Sequence, residues 1–288
     1  MSSHTAYTTV GGVFVGPIIG MPPSLLDAFA PLADRGIAIE GVDIFEGQPV
    51  RRSMRTVLGM TMLPGSHERR VRFANAFDEA VLFGHMRDRL ERLEERGRTS
   101  LILGGMSGGF IFASRMVQCP PDSELGSTTV PSAYPIVGLF GISPLVFYPP
   151  GVTRLGADLA LVPSSVPTTL IWGDGDDIVP GGTIEHCKRL ERQYEHLHCR
   201  TIRGPQVGVK EGRVKHQFFG GRDFIGPLKN GFWNERAQRL AIEEIQTLVD
   251  KTLTVTAAWR PFLDNGMPRY KSGRDVPFPS ADALGDPS

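Results

Sequence analysis

Cysteine is scarce in this chain, and a surplus of either charge is missing. The 288 residues include three cysteines, Cys119, Cys187 and Cys199, an odd number in a chain too large to need disulfide staples. That argues for a reducing compartment, although secretion without bridges stays open. Lys plus Arg and Asp plus Glu both total 31, so the formal net charge is zero and no long run of one sign occurs. Nothing therefore suggests a surface for nucleic acid or anionic membrane. Uninterrupted apolar runs are also lacking: the most membrane-like segment, Tyr134 to Val152, is broken by Pro144, Pro149 and Pro150. It reads as a buried strand followed by a pocket loop. The opening MSSHTAYTTV has neither a basic nor an apolar signal region, so no secretory leader is expected, and the protein is expected to be soluble and cytoplasmic. No internal repeat is apparent.

What is present is a stretch around which the rest can be arranged, Leu101 to Arg115, LILGGMSGGFIFASR. An apolar strand leads into Gly104, Gly105, Met106, Ser107, Gly108 and Gly109, and a helical run begins at Phe110. Within it lies G-x-S-x-G, which 17 serines and 34 glycines would produce by chance about 0.24 times in a chain of this composition. The string is weak and its context is strong. A serine at the tip of a tight strand-to-helix turn needs small neighbours to avoid clashes, and the helix start behind it favours developing negative charge.

The chain contains the other parts of an α/β domain, and its length allows a core on both faces of one sheet. Strands are expected at Val10 to Ile19, Ile37 to Phe45, Pro135 to Gly141, Thr168 to Gly173 and His198 to Arg203. A helix capped by Ser24, with Leu25, Leu26, Phe29 and Leu32 on one face, should kink at Pro31. Further helices are expected over His67 to Arg96, around Ile184 to Leu197, and over Asn234 to Leu253. Glu46 to Ser66 and Cys119 to Ser132 read as loops, and Ile142 to Pro167 leaves room for a short cap. From Thr254 the pattern dissolves into Pro, Gly and charge with Trp259, Phe262, Tyr270 and Phe278. Residues 254–288 therefore form an extension, an arm or a partly disordered end, outside a single domain of residues 1–253.

A serine hydroxyl needs a base to take its proton and an acid to orient that base. His4 lies in the tail, His67 and His85 before or on a charged helix, and His186, His196 and His198 on or beside another. His216 differs, standing in the loop GRVKHQFFGG after the last strand. The acid candidates are Asp174, Asp176 and Asp177 in GDGDDIVP, directly after the strand Thr168 to Gly173.

Serine elbow, acid and histidine in this order resemble the α/β-hydrolase superfamily over roughly Val10 to Leu253. The resemblance implies a mostly parallel, doubly wound sheet with a short cap. GDGDDIVP is similar to the superfamily pattern G-x-x-D-x-x-V-P, which implies Asp176 as the acid; Asp174 or Asp177 would then cap the helix or tighten the turn. His216 before aromatic residues matches the expected base. For the oxyanion, the resemblance implies the amide of Gly108 and one from the loop after the first strand, Met21 or Gly20, because Pro22 and Pro23 have none. The segment LADRGIAIEGVDIFEGQP and the short cap look most like dienelactone-hydrolase-type enzymes. That family uses cysteine where this chain has Ser107, which leaves acyl transfer intact and the lactone substrate open. Little sequence precedes Val10, so the two antiparallel strands that often begin the fold are absent or reduced to one.

The resulting expectation is a serine hydrolase acting on a small or medium ester, thioester or lactone, with no metal or organic cofactor. Met106, Leu145, Phe147, Tyr148, Phe218 and Phe219 should line a modest apolar pocket. Partners are a small ester-like molecule, with neither nucleic acid nor membrane, and a homo-oligomer is left open. Alternatives are an acyltransferase or perhydrolase using the same residues, or a non-catalytic binding protein on the same fold. A rival cluster, His186, Cys187, His196, His198 and Cys199, has zinc-type ligands but the spacing of no standard finger. Asp43 and Glu46 stand near a strand end at the catalytic edge and read as turn and rim residues.

Overall fold

The computed structural model describes residues 7–17, 20–48, 78–118, 136–144, 166–176, 183–193, 196–209, 213–216, 218–220 and 233–264. Six strands, β1 (Val10–Val15), β2 (Ala38–Val42), β3 (Ser100–Met106), β4 (Ile136–Ile142), β5 (Thr168–Gly173) and β6 (Leu197–Ile202), form one sheet in the order β2-β1-β3-β4-β5-β6. Every pairing is parallel. Among the described residues no antiparallel strand precedes β1.

Side-chain alternation along these strands builds two cores from one sheet. Val13, Val15, Leu101, Leu103, Leu139, Leu170 and Trp172 face one way, against α3 (Glu79–Glu95), α4 (Gly109–Gln118) and α5 (Thr183–Gln193). Phe14, Ile102, Met106, Phe140, Ile142 and Ile171 face the other way, against α1 (Pro23–Asp27), α2 (Ala30–Ala33) and α6 (Glu235–Asp264). Burial on both faces is why the strands read as near-continuous apolar runs rather than alternating ones.

Helix boundaries follow local chemistry, and several differ from the sequence reading. Pro23 at the first helical position starts α1, so Pro22 and not Ser24 is its cap, and Pro31 opens α2 as a separate turn. Asp78 caps α3 through a 2.9 Å bond from the Ala80 amide; residues 67–77 of the expected helix lie outside the described residues. The Asn234 side chain caps the final helix by accepting from Ala237 N at 2.9 Å. That helix runs to Asp264, past the break expected at Thr254. Its apolar face, Ala241, Ile245, Leu248 and Val249, is buried on the sheet, and tertiary burial of this kind carries a helix through weak formers such as Thr254 and Thr256. Residues 265–288 lie outside the described residues.

Candidate active site

The elbow owes its shape to two close approaches. A side chain at Gly105 would meet the Phe110 amide, and one at Gly109 would meet the Val15 and Gly16 carbonyls, so strand and helix touch only because both positions are bare. Between them Ser107 takes a left-handed backbone, φ 52°. Its amide still donates to the Ile142 carbonyl at 3.1 Å, while its own carbonyl accepts from Phe110 N at 3.3 Å as the helix begins. The Gly108 amide therefore stands at the first position past the ladder, where α4 starts.

Two loops bring polar partners to Ser107. His216 Nε2 lies 3.0 Å from Ser107 Oγ, and His216 Nδ1 lies 2.8 Å from Asp176 Oδ2. All three residues are at most 6% exposed. In this arrangement Nδ1 carries the hydrogen donated to the carboxylate, leaving Nε2 to accept from the serine. The three come from the ends of β3 and β5 and from the loop beyond β6, gathered because parallel strands all end at the same sheet edge.

Asp174 has a different occupation. Its Oδ1 accepts from Val214 N at 2.8 Å and its Oδ2 from Gly204 N at 3.2 Å, and Gly175 N donates to Val214 O at 2.9 Å. These bonds tie the end of β5 to the loop that bears His216, two residues beyond Val214. Asp177 lies outside the described residues.

The loop after β1 differs from expectation. The Met21 amide, expected to be open toward an oxyanion, donates to Asp43 Oδ2 at 3.1 Å, and Gly20 N donates to Pro17 O at 2.8 Å. Asp43 Oδ1 also accepts from Phe45 N at 2.9 Å, so one carboxylate joins the loops following β1 and β2. Asp43 thus closes a turn, as expected, and also bridges two loops. Its position at a strand end in sequence was the only available signal.

The expected pocket residues divide. Met106, Phe218 and Phe219 are fully buried in the core on the α6 face, with the Phe219 ring 5.2 Å from that of Phe29. Alternation explains Met106, which shares its face with Ile102. Leu145, Phe147 and Tyr148 lie outside the described residues. In the rival cluster, His198 faces Glu191 and Glu244 and Cys199 packs against the core; the side chains of His186 and Cys187 lie outside the described residues. Among the described residues no three His, Cys, Asp or Glu side chains gather as metal ligands. No helix among them is long and apolar enough to cross a membrane.

No family model and no curated protein matches the sequence. Among solved structures, the chain is similar to a candidate dienelactone hydrolase from Klebsiella pneumoniae at TM-score 0.54 and 10% identity, over 83% of this chain and 86% of that one. A Thermus thermophilus protein aligns at TM-score 0.48 and 15% identity, over 83% and 89%. A dienelactone-hydrolase-like promiscuous phosphotriesterase from metagenomic libraries aligns at TM-score 0.46 and 13% identity, over 84% and 86%. The first of these likenesses shows a shared architecture, the α/β-hydrolase fold.

Proposed function

We propose that this chain of α/β-hydrolase fold is a serine hydrolase that cleaves a small or medium carboxylic ester, thioester or lactone through an acyl-enzyme. The observation that carries the reading is the unbroken hydrogen-bonded line from Asp176 through His216 to Ser107, with the serine raised on a left-handed turn. Ser107 Oγ attacks the carbonyl carbon as His216 Nε2 takes its proton. Asp176 keeps Nδ1 protonated and faces the imidazolium that forms. Negative charge on the carbonyl oxygen is met by the Gly108 amide at the start of α4. Collapse of the tetrahedral adduct expels the leaving group, which takes the proton from His216. Water, activated by the same imidazole, then releases the acid.

A fluorophosphonate probe followed by peptide mapping tests the reading directly. Labelling should fall on Ser107, and a graded set of esters, thioesters, lactones and amides should show turnover for small acyl groups. A folded protein that is neither labelled nor active on any of them overturns it. Product that forms only when an alcohol, amine or peroxide is added would instead make it an acyltransferase or perhydrolase.

A further inference from the structure

The C-terminal edge of the sheet carries a second serine with the backbone of a nucleophile and no assigned task. Met106 pairs with Ile142, so Ser107 and Ser143 stand side by side one residue beyond that last pair, on strands about 4.8 Å apart. The Ser143 amide donates to Ile171 O at 2.7 Å, as the Ser107 amide does to Ile142 O at 3.1 Å. Ser143 has φ 44° and Ser107 φ 52°, and among the described residues these are the only non-glycine positions with left-handed backbone. Ser143 is completely buried, and among the described residues its hydroxyl has no hydrogen-bond partner.

Each of these features opposes folding. Left-handed backbone is unfavourable for any residue with a Cβ, the neighbouring Pro144 narrows the choice further, and a buried hydroxyl without a partner loses its water for nothing. Glycine at this position would remove the first and last costs together. Strain and an unanswered polar group on one residue point to a function rather than to packing.

The topology supplies that function. Ser107 follows β3, Ser143 follows β4 and Asp176 follows β5, in that order along one edge. His216 bonds both Ser107 and Asp176, so the imidazole and carboxylate cross the end of β4, where Ser143 sits. We propose that Ser143 is a positioning residue for the His216–Asp176 pair. Its side chain, turning about the Cα–Cβ bond, carries the hydroxyl to donate to the Asp176 carboxylate as His216 takes up the Ser107 proton. A donor of this kind keeps Asp176 ionised opposite the imidazolium and answers charge only when charge has separated, so it acts on the transition state more than on substrate binding. The inference rests on the serine-hydrolase reading above.

Ser143→Ala and Ser143→Gly, assayed on an activated ester alongside thermal melting, test it. Both variants should lose roughly tenfold or more in kcat, the scale of one hydrogen bond to a charged group, with KM unchanged. Ser143→Gly should melt no lower than the wild type, because strain and the orphaned hydroxyl go together. Wild-type kcat in both variants overturns the proposal, as does a fall in kcat that only tracks loss of folded protein. If the wild type forms no acyl-enzyme, the serine-hydrolase reading fails and carries this one with it. If the wild type acylates and both variants acylate equally fast, the Ser143 proposal alone fails.

Discussion

The carboxylates of Asp174 and Asp176, separated only by Gly175, enter different networks: Asp174 binds the amides of Val214 and Gly204, whereas Asp176 binds His216 Nδ1. One holds the loop and the other faces the ring. Asp176→Asn should lower turnover by several orders of magnitude while changing the melting temperature little, because an amide presents the wrong hydrogen to Nδ1. Asp174→Asn should chiefly cost stability, about 1.5 to 3 kcal/mol, from weakening two charge-assisted bonds. Steady-state kinetics and thermal melts of both variants separate these effects, and a larger kinetic loss at Asp174 would reverse the assignment.

The left-handed turn at Ser107 gives a prediction of its own. Ser107→Ala and Ser107→Gly should both abolish probe labelling and turnover with the circular dichroism spectrum retained. Ser107→Gly should be the more stable of the two, by about 1 kcal/mol, since only glycine takes φ 52° without strain. Equal melting temperatures would show that the elbow carries no such cost.

Asp43 anchors the loop bearing Met21, and its removal should loosen that loop. Asp43→Ala should lower kcat/KM for an activated ester at least tenfold and reduce stability by about 1 to 3 kcal/mol. A rise in kcat/KM instead would mean that the carboxylate holds the Met21 amide away from the oxyanion.

Acid sensitivity has one definable contributor far from the site. Hydrogen bonding to His198 is the main cause holding the Glu244 carboxyl below its ordinary 4.5, and Arg200 adds to it, while burial pulls the other way. A depressed folded-state value contributes stability above the unfolded value, and that contribution disappears as pH falls through the folded one. The melting difference between the wild type and Glu244→Gln should therefore be full near about pH 7 and close below about pH 4.5. Surface screening keeps it at about 1 kcal/mol or less. A difference that persists near about pH 3 would assign it to packing.

Much of the architecture is legible in the sequence alone, because the signals are local. Thr168 to Gly173 is a strand with the expected ends, and the strand-to-helix turn at Ser107 is written in the bare positions 105 and 109, which pack against their immediate surroundings. Helix ends were less legible. The helix α6 reaches Asp264 although residues such as Thr254 and Thr256 are weak helix formers, and its buried face at Ala241, Ile245, Leu248 and Val249 is a tertiary feature that propensity does not report.

What the sequence by itself determined is the set of strands and the elbow, each carried by residues within a few positions of one another, and the bare chain order of Ser107, Asp176 and His216. Only the tertiary structure decided where polar groups 20 to 40 residues apart would meet: Met21 on Asp43, Gly204 and Val214 on Asp174, His216 on Asp176. It also placed Ser143 beside Ser107, through a register between β3 and β4 that includes an irregularity at Leu101 and Ile102 and so could not be counted from residue numbers. The physical reason is that a hydrogen bond is decided within a few tenths of an ångström. Apolar periodicity selects which face of an element is buried, but separations that fine are set only when loops from different strands close over one sheet edge.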